Sequence, residues 1–170
     1  KWEDKLYTLR REYQQLIDQF EEQYPKYYRL KYDTKLATVQ DIRRDMLDRK
    51  TAFLEYFVGV ENVYLFEITR RNFRVHQFPK AAAFEQDIQT IHGMVKKMQL
   101  STKEIPIFQA KIRKLYVQYL GACIAHLPKS INRLLIVPDD LLNLVPFEIL
   151  SSPETKTDYL IQDFTIGYAY

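Results

Sequence analysis

The sequence predicts an α/β fold, and three kinds of segment carry that prediction. Residues 52–58, 62–69 and 73–78 are rich in aromatic and β-branched side chains and are separated by short turns, a pattern typical of an antiparallel meander. Residues 134–137 form an apolar run without alternation, as in a strand buried on both faces of a parallel sheet. Two segments with apolar residues at helical spacing lie between these strands, enough chain for a crossover or a covering layer.

Length and composition restrict the possible classes of protein. The 170 residues suit one domain, or one domain with a helical appendage, and 46% of them are hydrophobic, enough for a core. The net charge is +3 and basic residues are mixed with acidic ones, which argues against a dedicated nucleic-acid surface. One cysteine excludes an internal disulfide, and no segment resembles a signal peptide or a membrane span, so a cytoplasmic protein is expected. The start at Lys1 and the strand-like end predict a piece of a longer protein.

Residues 1–50 are predicted to form a helical N-terminal segment. An apolar stripe at alternating spacings of four and three predicts a helix that ends at Pro25, with Trp2, Leu6, Leu9, Tyr13, Leu16 and Phe20 on one face. We expect this stripe to pack on the chain's own sheet, although a coiled coil or stacking on an upstream helical repeat is also compatible. Four tyrosines between residues 24 and 32 are expected to fix a loop to the core. A short helix with a solvated, ion-paired face is predicted at residues 39–47.

The elements from residue 51 onward follow from changes in periodicity. The third strand of the meander alternates between apolar and polar residues, so it is expected at a wetter edge, with His76 as a surface residue that has no second metal ligand nearby in sequence. Two helices are then predicted from the stripes Phe84, Ile88, Ile91, Val95, Met98 and Phe108, Ile112, Leu115, Tyr119, Cys123, Leu127. Residues 159–163 and 165–170 are two further strand candidates.

Residues 134–150 form the stretch around which the other elements are organised. Pro138 cannot donate to a sheet ladder, so the buried strand is expected to stop there. Asp139 and Asp140 supply turn chemistry. Pro146 suits the first position of a helical turn, and Glu148 would meet the positive end of that turn's dipole. The predicted order is therefore a strand, an acidic turn and a short helix at the carboxyl end of a strand, where open α/β sheets place their sites.

This stretch also resembles a known family. IVPDDLLNLVPFEIL is similar to the start of the CHAT domain, a bacterial relative of caspases and separases that is often fused to TPR repeats. Pro138, Asp139, Pro146, Phe147 and Glu148 match the family pattern, whereas Asp140 stands where the family usually has Gly. The resemblance implies an incomplete caspase/separase-like sheet at residues 51–170, with residues 1–50 as the end of an upstream TPR region. It also implies that the parent protein is a cysteine peptidase acting on protein substrates, and that the five motif residues support its cleft.

Three features of the sequence suggest catalysis but are better explained by structure. His92 precedes Gly93, and the family's catalytic histidine has a similar neighbour; that histidine, however, follows the Pro-Phe-Glu stretch, whereas His92 precedes it on a helix. Cys123 and His126 are neighbours on one helical face, but Cys123 continues an apolar stripe. Two ligands also leave a zinc site short of the number it needs. Asp139, Asp140 and Glu148 could bind a metal or act as acid and base, but their spacing suits turn formation and helix capping, so a supporting role near the cleft is expected and not a catalytic one.

The sequence therefore predicts a fragment without a catalytic residue, cofactor or metal of its own. Its histidine base and cysteine nucleophile are expected in a downstream half. The alternative is a protein-interaction or scaffold module of a TPR-containing protein, without peptidase activity. In either case, unpaired strand edges are expected to bind a partner protein or a second copy of the chain.

Overall fold

The computed structural model describes residues 2–23, 37–97, 99–152 and 159–169. The chain divides into two compact units, Lys1–Thr38 and Val39–Tyr170. The predicted tyrosine-rich loop lies outside the described residues, as do Met98 and Tyr170.

The first unit contains helix α1, Trp2–Gln23. This helix covers the whole predicted stripe of apolar residues, which confirms the predicted helix. The docking of this stripe on the sheet stays a prediction.

The second unit contains a five-stranded open sheet, and this confirms the α/β class. Its strands are β1 (Thr51–Val58), β2 (Asn62–Ile68), β3 (Phe73–Pro79), β4 (Arg133–Val137) and β5 (Thr165–Tyr168). Their order across the sheet is β3-β2-β1-β4-β5. The first three strands pair antiparallel, as the meander prediction requires, whereas β4 pairs parallel to both β1 and β5. The mainly exposed β3 lies at one edge, as predicted from its alternation.

Three helices cover one face of this sheet and form the main core with it. They are α3 (Phe84–Val95), α4 (Glu104–Tyr119) and α5 (Gly121–His126). Fully buried side chains of the helices, such as Ile88 and Ile112, belong to the same apolar cluster as Leu54, Leu65 and Ile136 of the sheet. The face is apolar because alternate residues of β1, β2 and β4 point toward the helices.

The opposite face carries a smaller core under helix α2, Val39–Asp45. Ile42 and Leu47 form a buried cluster with Phe53 of β1 and Ile68 of β2. Although the sequence pattern assigns this helix to the N-terminal segment 1–50, it packs with the second unit. The predicted ion-paired face is present, since Arg44 forms salt bridges to Asp41 and Asp45.

An ion-pair cluster joins α3 to α4. Asp87 is buried, and its two carboxylate oxygens accept hydrogen bonds from the ammonium groups of Lys111 and Lys114, at 2.5 and 2.7 Å. Burial by itself raises the pKa of the Asp87 carboxyl, but the two lysines outweigh it and hold the pKa below its ordinary value.

Two of the predicted elements are wrong in type or length. The second predicted helix is two helices, because Leu120 leaves the helical region, with φ −136°, before α5 begins at Gly121. Residues 159–163 are not a strand but contain a 3₁₀ helix, Leu160–Gln162, in which the amides of Gln162 and Asp163 bond to carbonyls three residues earlier. Such local bonds use the groups that a sheet ladder would need.

One prediction about α3 also needs correction. Val95 is 43% exposed, although the sequence pattern assigns it to the inward stripe. At Gly93 an added Cβ atom would meet nothing within 4 Å. None of the described helices is long and apolar enough to cross a membrane.

Candidate functional site

The carboxyl ends of the parallel strands define the candidate functional site. Strands β1, β4 and β5 run in the same direction, so they end at the same edge of the sheet. Residues 138–150 follow β4 directly and fold as two 3₁₀ helices, Asp140–Leu144 and Phe147–Ile149. The predicted order of strand, acidic turn and short helix is therefore confirmed. Pro146 precedes the second 3₁₀ helix instead of being its first residue.

Asp139 joins the end of β4 to the end of β1. Its Oδ2 accepts a hydrogen bond from the backbone N–H of Val58, at 2.8 Å, and its carbonyl oxygen accepts the amide of Leu142. Pro138 ends the strand and is buried. The carboxylate of Asp139 thus fixes the spacing of two strand ends. It accepts the amide of Val58, which lies beyond Glu55↔Val137, the last residue pair between β1 and β4.

Asp140 has a left-handed backbone conformation. Its φ is +48°, the one positive φ at a non-glycine residue in the described part of the chain. Asp and Asn enter this region more readily than other side chains, and Gly enters it without steric cost. The conformation gives a physical reason for the glycine that stands here in the family pattern. The turn itself is kept, with the side-chain amide of Asn143 donating to the Asp140 carbonyl at 3.0 Å.

Phe147 and Glu148 attach the stretch to β5 through Tyr168. The Tyr168 hydroxyl accepts the backbone N–H of Phe147 at 2.9 Å and donates to Glu148 Oε2 at 2.7 Å. Phe147 is 1% exposed, and its ring centroid lies 5.3 Å from that of Tyr56 and 6.4 Å from that of Tyr168. These contacts assign an anchoring role to both motif residues. The sequence did not identify Tyr168, because nothing local marks a tyrosine that bonds 20 residues away.

His92 contacts the same stretch from helix α3. Its Nδ1 lies 3.2 Å from the carbonyl oxygen of Leu144. A carbonyl can only accept, so Nδ1 carries the proton and donates it. His92 therefore holds the last residue of the first 3₁₀ helix against α3.

Cys123 is fully buried on α5, as the apolar stripe predicts. Burial raises the pKa of its thiol, and the negative charge of Glu67 raises it further. A thiol in this state is a poor nucleophile. Its helical neighbour His126 is exposed and bonds through Nδ1 to the Ala122 carbonyl at 2.6 Å.

His76 does not have the surface position predicted for it. Its side chain is 12% exposed, and Nε2 lies 2.8 Å from Oε2 of Glu67, which is fully buried. Together with Cys123, these residues form a group whose metal-binding atoms all lie within 4.8 Å of one another. The prediction that His76 has no second metal ligand nearby is correct along the sequence but wrong in the folded chain. A lone acid in the otherwise apolar run of β2 was the signal that could have found it.

A cavity of about 430 Å³ lies at the other end of the parallel strands, where β1 and β4 begin. The arginines Arg49, Arg70 and Arg71 line it together with Asp48. A second cavity, of about 210 Å³ and mostly apolar, lies beside Tyr159 and Leu160.

Comparison with known families finds one match, in the C-terminal part of the chain. The family model of the CHAT domain matches residues 109–170. This part of the chain is similar to a CHAT domain. The CHAT match runs from α4 through α5 and β4 to the end of the chain, so it includes every contact made by the motif residues to β5. No curated protein sequence matches the chain.

Proposed function

We propose that this chain forms the non-catalytic N-terminal part of a CHAT domain whose parent protein is a caspase- and separase-like cysteine endopeptidase acting on proteins. The observation that carries the proposal is the position of the CHAT motif. Its residues lie where parallel strands end, tied to β1 by Asp139 and to β5 by Glu148. Open α/β sheets hold their reacting groups outside this edge.

A histidine and a cysteine from sequence outside the 170 residues would complete such a site. A thiol nucleophile needs a partly exposed, electropositive environment and a base within hydrogen-bond reach. Cys123 is fully buried beside the carboxylate of Glu67, and His92 is bound to the Leu144 carbonyl. Neither side chain suits the role. The proposed contribution of this chain is a rigid frame for the strand ends.

Strand β5 supplies the place where further strands would attach. Within the described residues it is an edge strand of four residues, paired with β4 on one side. An unpaired edge presents N–H and C=O groups that another strand can use. In the complete domain the next strand would pair here. In the isolated chain, β5 is proposed to pair with a second copy or a partner protein.

The experiment compares this chain with a longer gene product that contains the sequence following Tyr170. We expect the 170-residue chain to leave an unstructured protein substrate intact and the longer product to cleave it. Cleavage should be lost when the proposed downstream histidine or cysteine is replaced. It should persist in His126→Ala, a control that removes an exposed histidine.

Two results would contradict the proposal. Turnover by the 170-residue chain after rigorous repurification would place the nucleophile within it. A longer product that folds, keeps its histidine and cysteine, and cleaves none of a broad set of proteins would favour the interaction module instead. In that case, partner capture at the β5 edge becomes the function to measure.

A further inference from the structure

A second group of reactive side chains lies at the antiparallel end of the sheet, away from the CHAT motif. Glu67 is on β2, His76 on the edge strand β3 and Cys123 on helix α5. Glu67 and Cys123 are fully buried, and the His76 side chain is 12% exposed. Their carboxylate oxygen, imidazole nitrogen and sulfur atoms all lie within 4.8 Å of one another. Only the folded chain brings these three elements together.

We propose that Glu67, His76 and Cys123 bind a zinc ion. Carboxylate, imidazole and thiolate are the three ligand types that zinc uses in proteins, and three protein ligands with a water complete a tetrahedral site. Zinc–ligand bonds of about 2.0–2.3 Å place tetrahedral ligand atoms about 3.3–3.8 Å apart. In the structure His76 Nε2 and Glu67 Oε2 lie 2.8 Å apart and no pair in the group is more than 4.8 Å apart, so each pair lies within about 1 Å of that range. Small side-chain shifts therefore suffice to close the site.

The donor set selects zinc over magnesium or calcium. A soft thiolate and an imidazole favour zinc, whereas magnesium and calcium prefer sites made of oxygen atoms. The charges suit a divalent cation, because the carboxylate and the thiolate together neutralise it while the imidazole stays neutral. Zinc binding displaces the thiol proton, as it does at other cysteine ligands.

Arg74 binds one oxygen of the Glu67 carboxylate and leaves the other oxygen available to a metal. Its guanidinium lies 3.3 Å from Oε1 of Glu67, while Oε2 is the oxygen that faces His76. The carboxylate can therefore bind zinc through Oε2 and keep its hydrogen bond to Arg74 through Oε1. Partners of this kind fix the orientation of ligating carboxylates. The same guanidinium donates to the His126 carbonyl at 3.3 Å, which connects the hairpin to the end of α5.

His126 provides a matched control. It is a second imidazole near the group, with its ring centroid 6.0 Å from that of His76, but it is exposed and lies outside the three-ligand set. A specific site requires His76 and tolerates the loss of His126. Adventitious binding to surface histidines does not distinguish them.

The test measures metal binding by the full 170-residue chain after removal of metal with a chelator. We expect one zinc per chain, a raised melting temperature on zinc addition, and an intense near-ultraviolet thiolate-to-cobalt band when Co²⁺ replaces zinc. The band reports on Cys123 alone, because the chain has one cysteine. Cys123→Ser, His76→Gln and Glu67→Gln should each weaken zinc binding at least about 100-fold, more than loss of an outer hydrogen-bond partner does. His126→Gln should keep one zinc per chain.

The cobalt spectrum needs no variant, so it decides the proposal even if a substitution prevents folding. A folded wild-type chain that binds no stoichiometric zinc, or binds cobalt without the thiolate band, overturns the proposal. Equal loss of zinc in His126→Gln and His76→Gln overturns this ligand set. None of these readouts depends on peptidase activity, so the zinc site and the proposed function stand or fall separately.

Discussion

The left-handed conformation of Asp140 predicts an unusual order of stability for two substitutions. At φ +48° a Cβ atom lies too close to the following carbonyl, which costs an L-residue about 1–2 kcal/mol. Glycine removes this cost but loses about 0.5–1 kcal/mol more backbone entropy on folding. We therefore expect Asp140→Gly to be more stable than Asp140→Ala by about 0.5–1 kcal/mol. In a chain of this length, this corresponds to about 1–4 °C in melting temperature.

Asp163 supplies the control for that comparison. It is also an exposed aspartate beside a 3₁₀ helix, but its φ of −99° and ψ of −27° are ordinary for any side chain. At this position Asp163→Ala should be more stable than Asp163→Gly. Both variants lose the same side chain, so the greater backbone entropy of glycine in the unfolded chain decides their order. Urea unfolding followed by circular dichroism, with equal m-values for all four variants, measures both differences. The same order of Gly and Ala at both positions would refute the argument from backbone strain.

Four further predictions concern three single residues and the edge strand β5. Tyr168→Phe should lower the free energy of unfolding by about 1–2 kcal/mol, since it removes the bonds to Phe147 and Glu148. Gly93→Ala should raise it by about 1 kcal/mol, because the added methyl group meets open space within a helix. Asp87→Asn should lower it by about 1–2 kcal/mol at pH 7. The lowered pKa of Asp87 gives stability that is present above its ordinary value and is lost as pH falls through the folded value, so this deficit should shrink below about pH 4. Analytical ultracentrifugation should detect concentration-dependent association through the β5 edge.

Each of these predictions has a matched control. Tyr64→Phe should be nearly neutral, because the described residues offer no hydrogen bond to that hydroxyl. Gly121→Ala should give no gain, since its Cβ would lie 3.2 Å from the Tyr116 ring. Glu85→Gln removes an exposed charge and should leave the acid dependence unchanged. For the edge, Ile166→Pro removes an N–H that points away from β4, since the alternate residues Thr165 and Ala169 donate toward β4, and it should reduce association. Association that survives this change would indicate another surface.

The sequence predicts the elements whose signal is local. The strands of the meander and β4 are found because short runs of aromatic, β-branched or continuously apolar residues indicate β-strands. The turn after β4 is found because Pro138 stops the strand and two aspartates follow. Residues 159–163 were mistaken for a strand because their apolar residues also suit a 3₁₀ turn, and the choice depends on whether a neighbouring strand is available.

The site residues that the sequence missed are defined by contacts between distant elements. Tyr168 acquires its role only when β5 lies beside the 3₁₀ helix that contains Glu148. His76 acquires its position only when β3 pairs with β2 and α5 packs above them. Sequence spacing placed His76 alone and Cys123 in an apolar stripe, and both statements are correct along the chain. Neither could show that Glu67 brings the two together.

The contacts of the motif explain why it is a compact run of residues and not a scattered set of positions. A single segment of 11 residues, from Pro138 to Glu148, reaches the ends of β1, β4 and β5, because Asp139 binds β1 and Glu148 binds β5. Since these three strands are adjacent and parallel, fixing their ends in one segment fixes the edge itself. Side chains from elsewhere in the parent protein that lie at these strand ends would be positioned relative to one rigid segment. If the parent protein is the proposed peptidase, side chains of this kind position its reacting atoms without touching substrate. Loss of the Glu148 carboxylate, which binds Tyr168 on β5, would then lower activity although Glu148 takes no part in the reaction.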